Sequence, residues 1–143
     1  MIAVDTNILV YAHRIDSPWH EIAYKRVKQL AEQNSRWAIP YPCIHEFYSI
    51  VTNPKIYNPS STQNQAIHFI EALIQSPHLT LLSEDETYWP EIRKTIRDSK
   101  VMGGMIHDAR IASLCTIHGI KELWTFDRDF IRFPQLKIKN PLI

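Results

Sequence analysis

Four carboxylates occupy positions where they could do chemistry together. Asp5 directly follows the apolar run Ile2-Ala3-Val4, and Asp127 directly follows Leu123-Trp124-Thr125-Phe126. In open α/β sheets the functional crevice lies beyond the carboxyl ends of the strands, where such residues fall. The competing reading is that each aspartate simply caps a following helix. Asp108 has Ile111, Ala112 and Cys115 at i+3, i+4 and i+7, so its carboxylate shares a face with an apolar stripe. A lone charge on that face is costly unless a cation, a hydrogen-bond donor or a metal lies beside it, and Arg110 and Arg128 are candidate partners. Glu46 lies opposite the stripe Ile44, Phe47, Tyr48 and Val51. Spacing alone gives it little weight, because an exposed glutamate in a first helical turn is ordinary.

Carboxylates gathered in one cleft repel one another unless cations neutralise them. Hard oxygen donors suit Mg²⁺ or Mn²⁺, and such ions polarise a phosphodiester, activate a bound water and stabilise the leaving oxygen. Four converging acids would therefore make a phosphodiesterase centre.

The elements that would position them alternate. Ile2-Ala3-Val4 reads as a strand stopped by Asp5-Thr6-Asn7, and helical spacing follows over 8–15 and 19–31, around Pro18. Trp37-Ala38-Ile39 is a second short strand; Pro42 opens a helix that ends near Asn53-Pro54. Residues 54–62, rich in Asn, Pro and Ser, form a loop before a helix over 63–75. A third strand at 79–82, helices over 86–98 and 105–118, and a fourth strand at 123–126 complete the order. Such alternation predicts an α/β fold, a parallel sheet covered by helices on both faces, with no repeat or linker to divide it.

At 143 residues the chain is expected to form one domain over 1–143. Its net charge of +1 excludes tight, non-specific coating of nucleic acid through its own field, although a metal at the phosphate would supply positive charge locally. Residues 1–5 lack the basic and apolar regions of a signal peptide and no later stretch reaches membrane-spanning length, so a cytoplasmic protein is expected. Cys43 and Cys115 lie singly in apolar helical patterns and read as reduced core residues rather than zinc ligands.

Asp5-Thr6-Asn7, Glu46-Phe47, His107-Asp108-Ala109-Arg110-Ile111-Ala112 and Thr125-Phe126-Asp127-Arg128-Asp129-Phe130 occur in this order. Together they resemble the PIN domain, specifically the VapC-type toxins of bacterial toxin–antitoxin pairs, over residues 1 to about 134. The resemblance implies a three-layer α/β/α fold with a central parallel sheet and Mg²⁺- or Mn²⁺-dependent endoribonuclease activity on an RNA substrate. It also implies a homodimer held silent by an antitoxin, with DNA contacted only through that antitoxin. By the same likeness Asp5, Glu46, Asp108 and Asp127 are the catalytic, metal-binding acids. Thr6 and Asn7 shape the turn that carries Asp5, and Thr125 faces the same cleft.

Two positions depart from the pattern. Gly104 stands where many relatives are expected to carry a polar residue, so a supporting contact is missing there. Asp129 competes with Asp127 for the fourth acid; Asp127 fits better because it directly follows the strand and threonine, which leaves Asp129 an outer supporting role or an arginine partner. Arg14, Arg110, Arg128 and Arg132 suit a phosphate or the carboxylate of an inhibitory peptide, with solvated helix faces as the default. Trp19, Trp37, Trp89 and Trp124 read as core rather than as base-stacking platforms, and His107 reads as structural. Two other functions stay open: an aspartate-based phosphatase using Asp127 and Asp129, and a PIN-like binding module without catalysis.

Overall fold

The computed structural model describes residues 1–143 in full. Its centre is a five-stranded, wholly parallel sheet in the order β3-β2-β1-β4-β5. The strands are β1 (Ile2–Val4), β2 (Trp37–Pro40), β3 (Leu79–Leu82), β4 (Glu122–Trp124) and β5 (Lys137–Lys139). Six helices connect them: α1 (Thr6–His13), α2 (His20–Glu32), α3 (Tyr41–Val51), α4 (Gln63–Ile74), α5 (Tyr88–Asp98) and α6 (Ile106–Ile117).

The expected alternation is present, and it makes a three-layer α/β/α arrangement. Parallel strands need long crossovers, which the helices supply. They pack as two groups, α1 against α2 and α3, and α5 against α6. From β1 the chain moves outward to β2 and β3, then returns to place β4 on the other side of β1. The crevice at that reversal lies past the ends of β1 and β4, the two strands followed by Asp5 and by Thr125 and Asp127.

One cluster of 32 buried residues forms the core, and it includes the fully buried Trp37, Phe47, Ile8 and Leu123. β1 is central, with Ala3 and Val4 wholly enclosed. In α6 every residue from Ile111 to Cys115 is buried, so this helix is surrounded rather than striped, and Asp108 in its first turn is half-buried. No helix is long and apolar enough to cross a membrane.

Several boundaries differ from the sequence expectation. α1 starts at Thr6, not 8, because Asp5 itself supplies the cap, accepting a hydrogen bond from the Thr6 N–H. Pro18 lies in the turn before α2 rather than in its first turn. β4 ends at Trp124, although the ladder reaches one residue further through Thr125 N–H, which donates to the Lys139 carbonyl at 3.0 Å. β5 was not anticipated: Lys137-Ile138-Lys139 is a short edge strand whose exposed lysines discourage edge pairing and leave almost no apolar signal. Trp89 is also a correction. At 60% exposure on α5 it is no core residue, unlike Trp37 and Trp124.

Candidate active site

Asp5 anchors the site. Its carboxylate is 5% exposed and its oxygens are held from three directions. Oδ1 accepts from the Thr6 N–H at 2.8 Å and from Cys43 Sγ at 3.6 Å, and Oδ2 accepts from Thr125 Oγ1 at 2.7 Å. Three donors would ordinarily hold a carboxyl low, yet burial outweighs them and pushes Asp5 up to about 6, with the Glu46 charge adding to the rise.

Thr125 connects the two strand ends. Its hydroxyl donates to Asp5 and accepts from the Asp127 N–H at 2.9 Å, which fixes the chain as it leaves β4. Asn7 Oδ1 accepts from the Phe126 N–H at 3.1 Å, so the first turn of α1 holds the same segment. Asp127 Oδ1 in turn accepts from the Asp129 N–H at 2.9 Å and caps the short 3₁₀ turn Arg128–Arg132. The capping reading of Asp5 and Asp127 is therefore met at both positions: each accepts from the backbone N–H of the helical segment that follows it.

Asp108 is raised above the ordinary carboxylate range by burial first, then by the charges of Asp127, Glu46 and Asp129, against a small opposing effect of Arg132. Those couplings place Asp108 among the other acids. Neither Arg110 nor Arg128 pairs with it: Arg110 Nε donates to Glu84 Oε1 at 2.6 Å, and no ion pair involves Asp5, Glu46, Asp108 or Asp127. Glu46 is exposed on α3, opposite the buried Ile44, Phe47 and Val51 as its spacing indicated, and its charge reaches both Asp5 and Asp108.

Charge thus couples Glu46 to Asp5 and to Asp108, and Asp127 to Asp108, with no ion pair at any of the four and Arg132 opposing the rise at Asp108. No three acidic, histidine or cysteine side chains approach closely enough to close a cage. A small hard ion tolerates this, because Mg²⁺ keeps several waters and takes only one or two carboxylates directly. Carboxylate oxygens are the hard donors such an ion takes, and soft thiolate ligands are not needed.

Cys43 is a residue whose role the sequence hid. It is buried as expected, and its thiol is held well above its usual range by burial and by Asp5, but it touches the central acid directly. Cys115, pushed up to about 12 by burial, is inert core. His107 is exposed and lines a cavity of about 300 Å³ with His45, Glu46 and Arg110. Arg14 is another correction. Its side chain is only 11% exposed, because it stacks over Tyr57 at 4.3 Å and donates to Ser61 Oγ and the Pro59 carbonyl. At Gly104 an added Cβ would meet nothing within 4 Å, so that position faces open space.

Comparison with known proteins supplies the family. The profile of the PIN domain matches residues 2–136. Ribonuclease VapC43 of Mycobacterium tuberculosis is 30% identical over 142 residues, which span 99% of this chain and 96% of the relative. Ribonuclease VapC48 of the same species is 28% identical over 137 residues, 96% and 94% of the two chains. Among solved structures, VapBC-1 from nontypeable Haemophilus influenzae superposes with a TM-score of 0.68 at 22% identity, covering 100% of both chains. VapBC2 from Rickettsia felis, bound to a fragment of its promoter DNA, gives 0.66 at 23%, covering 97% and 98%. At these identities the structures establish the shared fold. The family profile and the near full-length relatives go further: the chain belongs to the PIN domain family, alongside proteins named VapC ribonucleases.

Proposed function

We propose that this protein is a metal-dependent endoribonuclease, the toxin of a toxin–antitoxin pair, and that Asp5, Glu46, Asp108 and Asp127 hold its metal. The observation that supports the reading is Asp5, buried at the end of β1 and held by Thr125 and the Thr6 N–H, with Glu46 coupled to it by charge and to Asp108, which Asp127 raises in turn. A bound Mg²⁺ or Mn²⁺ would supply charge neutralisation, an activated water and stabilisation of the leaving oxygen at an RNA phosphodiester. The protein's own residues do the positioning. Thr125 and the Thr6 N–H fix both oxygens of Asp5, while Asn7 and Thr125 hold the segment that presents Asp127. Asp129, through its N–H, fixes the Asp127 carboxylate.

The relatives named ribonucleases support the activity, and the neighbours solved as VapBC pairs support a protein antitoxin that closes the crevice. A chain of net charge +1 has little affinity of its own for promoter DNA, which fits a partner that makes the DNA contacts. The family likeness extends to a homodimer, a single domain over 1–143 and a cytoplasmic location.

The test is cleavage of cellular RNA by the purified chain freed of any partner, with EDTA, Mg²⁺ or Mn²⁺ present. Cleavage that appears only with metal and vanishes in Asp5→Asn supports the reading; cleavage in EDTA, or undiminished in Asp5→Asn, overturns it.

A further inference from the structure

A cavity of about 300 Å³ between α3 and α6 has Glu46 in its wall, next to His107, the residue before Asp108, and is otherwise lined by residues outside the four acids. Its volume is at the low end for ligand pockets, enough for one base and its sugar and too small for a duplex. Its lining is polar: His45, Ser49, His107 and Arg110 surround a single hydrophobic side chain, Ile111. The His45 ring is braced by the Tyr41 ring one turn earlier on α3, with centroids 6.0 Å apart and planes inclined by 37°.

Arg110 decides what fits. Its Nε is tied to Glu84 Oε1 at 2.6 Å, and neither terminal nitrogen has a protein partner. The guanidinium is therefore held by one edge and presents a free pair of N–H donors. Glu84 offsets its charge and Glu46 adds a further negative one, so the cavity offers no net attraction to a phosphate. An uncharged group with two adjacent acceptors meets no such opposition. Guanine's O6 and N7 form that edge and match a bidentate arginine, while single-stranded RNA is commonly held by bases splayed against aromatic rings and arginine planes.

We infer that this cavity is a base subsite that holds an unpaired guanine of the substrate beside the scissile phosphate, with Arg110 as the residue that reads it. The inference rests on the ribonuclease reading and adds the base preference that reading leaves open. Glu84 acts here as a positioning residue, since it touches the guanidinium and not the base.

Random-sequence single-stranded RNA cut by the purified chain with Mn²⁺, followed by sequencing of the new ends, reads the preference directly. Guanine should be enriched roughly tenfold or more at one position adjoining the cut, as expected of a bidentate contact. Replacing that guanine by 7-deazaguanine, which lacks the N7 acceptor, should reduce the enrichment, with the loss carried mainly by KM. Arg110→Lys keeps the charge and loses the fork, so the guanine ratio should fall towards one while the thermal melting of the variant stays near that of the parent. Guanosine 5′-monophosphate should shift the His45 and His107 ring signals in NMR more than the other three mononucleotides do. If no RNA is cut but this guanine-selective shift occurs, the ribonuclease reading falls and the subsite stands. Cleavage without base preference, a preference unchanged in Arg110→Lys, or an Arg110→Lys effect confined to binding of a protein partner would each overturn the subsite.

Discussion

Thr125 Oγ1 donates to Asp5 Oδ2 at 2.7 Å across 120 residues of chain, and the same oxygen accepts from the Asp127 N–H at 2.9 Å. One hydroxyl thus sets the geometry of two acids on neighbouring strand ends. Thr125→Val keeps the shape but removes both contacts. It should destabilise the fold by roughly 1–3 kcal/mol through the buried carboxylate left short of a donor, and reduce metal-dependent cleavage about 10–100-fold, as is usual for groups that orient metal ligands. Thr125→Ser restores the hydroxyl and should recover most of both losses. Equal activity in the Val and Ser variants would show that the hydroxyl has no such role.

Burial places a second consequence on Asp5. Its carboxyl is pushed up to about 6 from the ordinary 3.8, so between about pH 4 and 6 the folded protein holds a proton that the unfolded chain has released. Stability contributed by this group is present at low pH and is lost as pH rises through that window, amounting to roughly 3 kcal/mol by pH 7 in metal-free protein. Asp5→Asn carries no charge and should melt higher than the parent at pH 7 in EDTA, with the difference shrinking below pH 5. Mn²⁺ should raise the melting temperature of the parent and leave the variant unmoved. A variant that melts lower at pH 7, or gains equally from Mn²⁺, would contradict this account.

The strand-end acids were readable because a polar residue that stops an apolar run has a fixed place in a parallel α/β sheet. Asp5 directly follows β1 and Asp127 lies three residues past β4, whereas Thr125 entered only through the family likeness. Glu46 was not readable from spacing: an exposed residue on the polar side of α3 looks like any solvated glutamate, and only the family motif and the folded topology bring it towards Asp5. Burial of Cys43 is legible from its apolar pattern, but its contact with Asp5 is not, since it spans 38 residues and carries no local signature. The same limit hid Arg14, which is enclosed by Tyr57, Pro59 and Ser61 from a loop about 45 residues away. The Arg110–Glu84 pair, likewise, joins segments 26 residues apart. Periodicity reports which face of an element is buried, whereas such contacts depend on how elements and loops meet.

Arg14 gives a stability prediction that is independent of the acids. Its stacking on Tyr57 and its bonds to Ser61 Oγ and the Pro59 carbonyl hold the 57–61 loop against the end of α1. Its bidentate pair with Asp16 adds less, because Asp16 is 49% exposed and screened by solvent. Arg14→Ala should therefore cost roughly 1–3 kcal/mol in denaturant unfolding, and Asp16→Ala clearly less. A larger loss in Asp16→Ala would mean that the ion pair, not the loop contacts, holds this corner.

Asp127 and Asp129 can be separated by experiment. Asp127 is half-buried, its N–H is fixed by Thr125 and one of its oxygens is fixed by the Asp129 N–H; its charge comes ahead of Glu46 and Asp129 among those that raise Asp108. Asp129 is exposed, and what it supplies to Asp127 is a backbone donor that no side-chain substitution removes. Asp127→Asn should therefore lose roughly 100-fold or more in Mn²⁺-dependent cleavage and weaken Mn²⁺ binding measured by calorimetry, whereas Asp129→Asn should stay within about tenfold of the parent, at or below the lower bound for an outer supporting group. Both variants keep the side-chain volume, so unchanged melting curves would confine the effect to the site. If the order were reversed, Asp129 would be the fourth acid, and the hydrogen bond from its N–H to Asp127 would serve to orient Asp129 instead.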